Sequence, residues 1–266
     1  MKKYIFLFLS AALFSSCFPG EGEEGPQPET EADIIKYITD NNLNASRTRS
    51  GLYYVINNEG TGNVPDLSSE VRVNLKGYLL DGTVFRENRA EGVAVSLETQ
   101  IPGLAEGIQL FKEGGEGILL IPSELGFNDG TVLVIEVKLI EVIDNEADIL
   151  KYIDDNNLDA TKTDSGLYYV INKEGTGKKP AVNSIVKVAY KGYFLDGTVF
   201  DESNTDGISF NLNQVIEGWK EGIPFFKEGG EGILLIPNNL GYGLQERPPI
   251  PGGSVLIFDI KLISVN

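Results

Sequence analysis

The sequence predicts an α+β protein made of two copies of one unit, and three observations carry that prediction. The first is an internal repeat with an offset of 115 residues: Ala32-Asp33-Ile34-Ile35-Lys36-Tyr37-Ile38 recurs as Ala147-Asp148-Ile149-Leu150-Lys151-Tyr152-Ile153. The match runs on through Ser50-Gly51-Leu52-Tyr53-Tyr54-Val55-Ile56-Asn57 and Ser165-Gly166-Leu167-Tyr168-Tyr169-Val170-Ile171-Asn172, and both copies carry Glu-Gly-Thr-Gly, at 59–62 and 174–177. The second is a change of periodicity within each copy, from a helical pattern to strict alternation. The third is that turn signals follow at short intervals, so that most of each unit reads as antiparallel sheet.

The chain opens on Lys2-Lys3, an apolar run from Ile5 to Phe14, and Ser15-Ser16 before its only cysteine, Cys17. The run is too short to span a bilayer, and the whole reads as an export signal over 1–17. Small residues directly before a sole cysteine resemble a bacterial lipoprotein signal, which implies cleavage and a lipid on Cys17. Phe14 stands where leucine is commoner, and an ordinary secretory signal with an incidental cysteine is the alternative. Residues 18–31, with five glutamates among Pro and Gly, read as a flexible acidic tether. Similar stretches occur in surface-displayed Bacteroidota-like lipoproteins, so the expected location is the cell envelope, at the outer membrane, through the lipid.

Unit one is expected over 32–146 and unit two over 147–266. Each begins with a short amphipathic helix, whose apolar positions in unit two are Ile149, Leu150, Ile153 and Leu158, and Asn156-Asn157 suits its stop. Val186, Val188 and Tyr190 then alternate with Lys187, Ala189 and Lys191, as Val71, Val73 and Leu75 do with Arg72, Asn74 and Lys76. Asp81-Gly82 and Asp196-Gly197 are hairpin turns. Lys227–Gly232 is a turn before the apolar strand Ile233–Ile236. In the last strand, Ser254 to Ile263, Leu256, Phe258, Ile260 and Leu262 form one apolar face.

Between these strands, Ile208-Ser209-Phe210-Asn211-Leu212 alternates and stops at Val215-Ile216-Glu217-Gly218-Trp219. The glycine permits a sharp turn, and the only tryptophan opens a short helical stretch with its ring on the buried side. A lone tryptophan is by itself ordinary core; at the end of a strand it also serves as the floor of a pocket for a small apolar group.

Composition excludes several classes. With 39 acidic against 22 basic residues and a net charge of −17, the chain repels phosphate backbones and anionic lipid, so nucleic acid is not an expected partner. It has no histidine, the usual general base and commonest metal ligand, and one cysteine permits no internal disulfide.

Ala189-Tyr190-Lys191-Gly192, Leu195–Asp201, Val215–Trp219, Gly241-Tyr242-Gly243 and Val255–Asp259 together resemble the FKBP-type peptidyl-prolyl isomerases, over about 165–266. The resemblance implies a twisted antiparallel sheet wrapped around a short helix, with a pocket between them. It implies that Tyr190, Asp201, Ile216 and Tyr242 act in catalysis, and that Phe200, Ile208, Phe210, Val215, Trp219, Ile250 and Phe258 hold substrate. Ile208 departs from the phenylalanine usual there, and Arg247 falls at a variable loop position. Proline-containing polypeptides are the implied substrates, and macrolides of the rapamycin type further ligands. Rotation about an X-Pro bond breaks no bond, so no nucleophile, metal or redox cofactor is needed. The proline ring would lie on Trp219, the Ile216 N–H and Tyr242 hydroxyl would hold carbonyls, and Asp201 would orient Tyr190. Asp201 reads alternatively as a plain turn aspartate.

Unit one keeps Phe85 for Phe200, but has Leu75, Arg86, Leu104, Phe127 and Ile135 in place of Tyr190, Asp201, Trp219, Tyr242 and Phe258. A tight hairpin on Asp129-Gly130 is expected there instead of the Gly243–Ser254 loop. Unit one therefore reads as a degenerate copy, and the chain as an isomerase for exported proteins working through unit two. The competing reading is a chaperone-like binding lipoprotein with little turnover.

Overall fold

The computed structural model describes residues 27–266; the expected signal, Cys17 and most of the tether lie outside them. Unit one runs α1 (Glu31–Asp40), β1 (Ser46–Arg47), β2 (Tyr53–Asn58), β3 (Glu70–Tyr78), β4 (Val84–Glu87), β5 (Val93–Ser96), α2 (Pro102–Ile108), β6 (Glu116–Ile121) and β7 (Leu133–Ile143). Unit two repeats this order as α3 (Asn145–Asp155), β8 (Thr161–Lys162), β9 (Tyr168–Lys173), β10 (Ile185–Tyr193), β11 (Val199–Glu202), β12 (Ile208–Asn211), α4 (Glu217–Gly222), β13 (Glu231–Ile236) and β14 (Leu256–Val265). Each unit holds one seven-stranded antiparallel sheet, ordered β1-β2-β6-β7-β3-β4 in unit one and β8-β9-β13-β14-β10-β11 in unit two. The long strand β10 pairs along its length with β14, and on its other side with β12 at one end and β11 at the other.

The capping residues set the helix limits. The Asp144 carboxylate accepts the Ala147 N–H at 3.0 Å, which satisfies one of the orphan donors of the first turn. Asn157 takes a left-handed φ of 50°, and the Leu158 N–H returns to the Ile153 carbonyl at 3.0 Å, closing the helix where the Asn-Asn pair suggested. Of the four apolar positions expected, Ile149 is fully buried whereas Leu150 is 48% exposed. Tyr152, three residues on from Ile149, takes the place assigned to Leu150 against the sheet.

Each sheet is covered on both faces. In unit two, α4 and its flanks bury Trp219, Ile223 and Phe226 against Leu234, Ile236 and Phe258. On the opposite face α3 buries Ile149 against Tyr168, Leu235 and Ile257. This explains why Leu234, Leu235 and Ile236 are all fully buried: a strand covered on both sides has no solvent face. In β14 the expected alternation is delayed for the same reason: Ile257 is as buried as Leu256, and alternation begins only at Asp259. Each fully buried aliphatic or aromatic side chain contributes about 1.5–3 kcal/mol relative to exposure.

Two further expectations change. Asp129-Gly130 is not a tight hairpin but part of a connection over 122–132 that starts with a single 3₁₀ turn, Ser123–Leu125. The Gly130 N–H is held by the Ser123 hydroxyl at 2.7 Å. The end of the expected tether is docked onto this connection: the Glu29 N–H donates to the Gly130 carbonyl at 2.8 Å, and the Glu29 carboxylate accepts the Val132 N–H at 2.6 Å. Backbone pairing thus ties down residues that composition alone reads as unattached.

Helix α4 lies close to the sheet because glycine faces it. A Cβ at Gly218 would meet Ile236 Cγ2 at 2.5 Å, and one at Gly222 would meet Leu234 Cδ2 at 2.7 Å. Gly218→Ala therefore sets two effects against each other: helix propensity favours alanine by about 0.5–1 kcal/mol, while overpacking costs about 1–3 kcal/mol. Packing wins, and the variant is expected to lose about 1–2 kcal/mol in urea unfolding followed by Trp219 fluorescence. A stabilised Gly218→Ala would show that the helix is not seated this closely.

Candidate functional site

The residues that α4, β10, β11, β12 and β14 direct to one side of the unit two sheet enclose a cleft of about 820 Å³. Trp219 forms its floor and is only 4% exposed. Three rings stand edge-on around it: Tyr190 at a centroid distance of 5.2 Å and 86°, Phe210 at 5.3 Å and 76°, and Phe258 at 5.2 Å and 83°. Edge-to-face contacts of this kind contribute about 0.5–1.5 kcal/mol each beyond burial, and they hold the indole at one orientation. The indole N–H is buried and has no acceptor among the described residues. Phe200 completes the aromatic wall, 5.5 Å from Phe258. Its ring lies over Gly192, where a Cβ would meet Phe200 Cε2 at 2.6 Å.

The polar groups sit at the rim. The Tyr190 hydroxyl donates to Asp201 Oδ2 at 2.7 Å, an alignment set by the pairing of Gly192 with Asp201 between β10 and β11. Burial first, and the hydrogen bond to Asp201 second, push the Tyr190 phenol well above its ordinary range. The group is therefore a neutral donor throughout the neutral pH range. Ile216 is the residue before α4, in an extended conformation with φ −61° and ψ 153°, and among the described residues its N–H has no acceptor. The Tyr242 hydroxyl likewise makes no hydrogen bond to the described residues, while the Arg247 guanidinium lies over its ring, 5.2 Å from the centroid.

Ten of the eleven residues expected in unit two meet here: Tyr190, Phe200, Asp201, Phe210 and Val215 with Ile216, Trp219, Tyr242, Ile250 and Phe258. Ile208 does not line the cleft. It lies one alternation before Phe210 on β12, opposite Val188, and is 44% exposed, so the loss of an aromatic ring there removes nothing from the wall. Sequence reasoning missed Gln214, Pro248 and Pro249 and left Arg247 as a loop residue, yet all four line the cleft. Arg247 and Ile250 exchange backbone hydrogen bonds at 2.8 and 2.7 Å, which folds Pro248-Pro249 into a tip over the opening. The available signal was the length of the 243–254 loop beside its shorter counterpart in unit one.

In unit one, Leu75, Phe85, Arg86, Leu104, Phe127 and Ile135 line a cleft of about 240 Å³. Arg86 approaches Asn88 rather than any phenol, and Phe127 is 60% exposed.

A family model described as FKBP-type peptidyl-prolyl cis-trans isomerase matches residues 62–166 and 176–263. A probable FKBP-type peptidyl-prolyl cis-trans isomerase, FkpA, of Neisseria meningitidis serogroup B is 47% identical over 107 residues, 39% of each chain. FkpA of Escherichia coli K12 is 44% identical over 108 residues, 40% of each. The chain thus spans about two fifths of the length of these relatives. The crystal structure of FkpA from Escherichia coli superposes with a TM-score of 0.43 at 38% identity, covering 46% of this chain and 60% of that one. With both units matched over well over half of the sequence, the chain belongs to the FKBP-type peptidyl-prolyl cis-trans isomerase family.

Proposed function

We propose that unit two is a peptidyl-prolyl cis-trans isomerase acting on proline-containing polypeptides, and that unit one is a copy without turnover. The observation that carries this reading is a walled aromatic floor at Trp219 with two unengaged donors, the Ile216 N–H and the Tyr242 hydroxyl, at its rim. The barrier to X-Pro rotation is about 18–20 kcal/mol and comes from amide resonance, which leaves the uncatalysed step at tens to hundreds of seconds. The planar amide is more polar than the twisted one, so a dry aromatic cleft favours the twist. A proline ring laid on Trp219 fixes one side of the bond. Carbonyls held by Ile216 and Tyr242 fix the other, so that orientation is supplied before rotation begins. Asp201 accepts from Tyr190 and keeps that phenol aimed into the cleft; no proton need move.

A specific observation favours an additional binding role for unit one: Phe85 and Phe127, which line its small cleft, are 42% and 60% exposed. Such a patch suits extended apolar polypeptide. The clients would be exported chains whose folding waits on proline isomerisation.

The double variant Tyr190→Leu/Trp219→Leu separates catalysis from binding, because unit one carries leucine at both equivalent positions and folds. It is expected to lose at least about 10²-fold in isomerase kcat/KM while circular dichroism remains native and suppression of client aggregation persists. Retained turnover would sink the assignment of the cleft.

The lipid on Cys17 and attachment to the envelope belong to the same reading, and rest on the position of a sole cysteine after an apolar run ending in Ser15-Ser16. Among the described residues no helix is long and apolar enough to cross a membrane. Two or more acyl chains anchor stably, since each buried CH₂ contributes about 0.8 kcal/mol. Cys17→Ser is expected to move the protein from the membrane pellet to the soluble fraction with isomerase activity unchanged. If the variant stays in the pellet, the lipid is not the anchor.

A further inference from the structure

The wall of the cleft that carries Tyr242, Arg247 and Ile250 is a long connection from Asn238 to Gly253, with little regular structure of its own. Its internal ties include a single 3₁₀ turn, Asn238–Leu240, the Arg247–Ile250 bridge, and a hydrogen bond from the Gly253 N–H to the Gly243 carbonyl at 2.8 Å. A chain segment of this length loses considerable conformational entropy when held in one place, and the groups that hold its two stems come from outside unit two's sheet.

Asn145, at the junction of the units, bridges the stems with one side-chain amide. Its Oδ1 accepts the Asn238 N–H at 2.6 Å, and its Nδ2 donates to the Gly253 carbonyl at 3.0 Å. Two residues of β3 in unit one complete the grip. Glu70 Oε2 accepts from Asn238 Nδ2 at 2.6 Å, and Arg72 Nη2 donates to the Gly252 carbonyl at 2.8 Å. Arg72 is itself steadied by Glu141 at 3.0 Å, on the neighbouring strand β7, and its side chain is only 17% exposed. Asn238 is 6% exposed, so its bonds form where water competes poorly. The Asn238 carbonyl in turn accepts the N–H groups of Gly241 and Gly243 at 2.9 and 2.8 Å, the two residues that flank Tyr242. A peripheral ion pair between Arg89 and Glu246, at 3.5 Å and exposed, adds little.

We propose that unit one, with the junction residue Asn145, is a positioning element for the cleft of unit two: Glu70, Arg72 and Asn145 hold the Asn238–Gly253 segment where Tyr242, Arg247 and Ile250 close over substrate. This rests on the reading of that cleft as the working site, and it gives the copy without turnover a task in the reaction. Glu70, Arg72 and Asn145 are positioning residues; none of them lines the cleft.

The test uses the full chain with Arg72→Ala, Asn145→Ala, the conservative Arg72→Lys, and Ile108→Ala as a control that weakens unit one through a buried core residue away from its cleft. Hydrogen exchange, KM and kcat for a proline tetrapeptide, and peptide affinity by Trp219 fluorescence are measured on each. Arg72→Ala and Asn145→Ala are expected to speed exchange across 238–254 but not 215–222, and to raise KM and weaken peptide affinity about three- to tenfold with a smaller change in kcat. Arg72→Lys restores most of both, and Ile108→Ala lowers the unfolding midpoint without moving KM or peptide affinity. Wild-type exchange or wild-type peptide affinity in Arg72→Ala and Asn145→Ala overturns the proposal, as does an Ile108→Ala variant that behaves like them. If the wild-type chain turns over no substrate, the isomerase reading falls, and exchange with peptide affinity still decides whether unit one sets the wall.

Discussion

The close seating of α4 on β13 is the constraint on which the rest of unit two depends. Gly218 and Gly222 let the helix approach until Ile236 and Leu234 touch its backbone, and that approach sets the depth of Trp219. Once the indole is fixed, Tyr190, Phe210 and Phe258 pack against it edge-on. Tyr190 is then placed to meet Asp201, and the face of the indole is left as a floor. A helix carrying side chains at both glycine positions would stand further from the sheet. The result would still be a core, but the ring cluster would lose the register that makes it a cleft.

Much of this was legible in the sequence because it follows from short-range rules. The repeat, the alternation through Val186, Val188 and Tyr190, and the stop at Asn156-Asn157 all act over a few residues, and the structure follows them. What was not legible depends on what lies across the sheet. Leu150 reads as apolar and inward, but α3 turns Tyr152 to the sheet instead. Ile257 lies off the apolar face read in the last strand and is buried because a helix covers its side as well. Ile208 has the right parity for the cleft and lies too far along β12 to reach it. Gln214, Arg247, Pro248 and Pro249 enter the wall through the course of a loop, which no periodicity encodes.

The two units show how one scaffold separates packing from chemistry. Both bury the same strand positions, Val71 and Val73 in one, Val186 and Val188 in the other. They differ at the rim, where Arg86 replaces Asp201 and the cleft shrinks from about 820 to about 240 Å³. The junction has a parallel in both copies. In unit one Glu29, just before α1, ties the Gly130 and Val132 backbone; in unit two Asn145, at the start of α3, ties the Asn238 and Gly253 backbone. The segment entering each unit thus fastens the connection before its last strand, and in unit two that segment is the junction with unit one.

The central claim is that the chain holds one working cleft, built on Trp219. Titration of the full chain with a rapamycin-type macrolide, whose pipecolyl ring has the shape of proline, tests it most directly. Calorimetry is read together with Trp219 fluorescence. The account predicts one site per chain, saturating in step with the fluorescence change and lost in Trp219→Leu. Two sites per chain, or saturable binding that leaves the fluorescence of Trp219 unchanged, would contradict it.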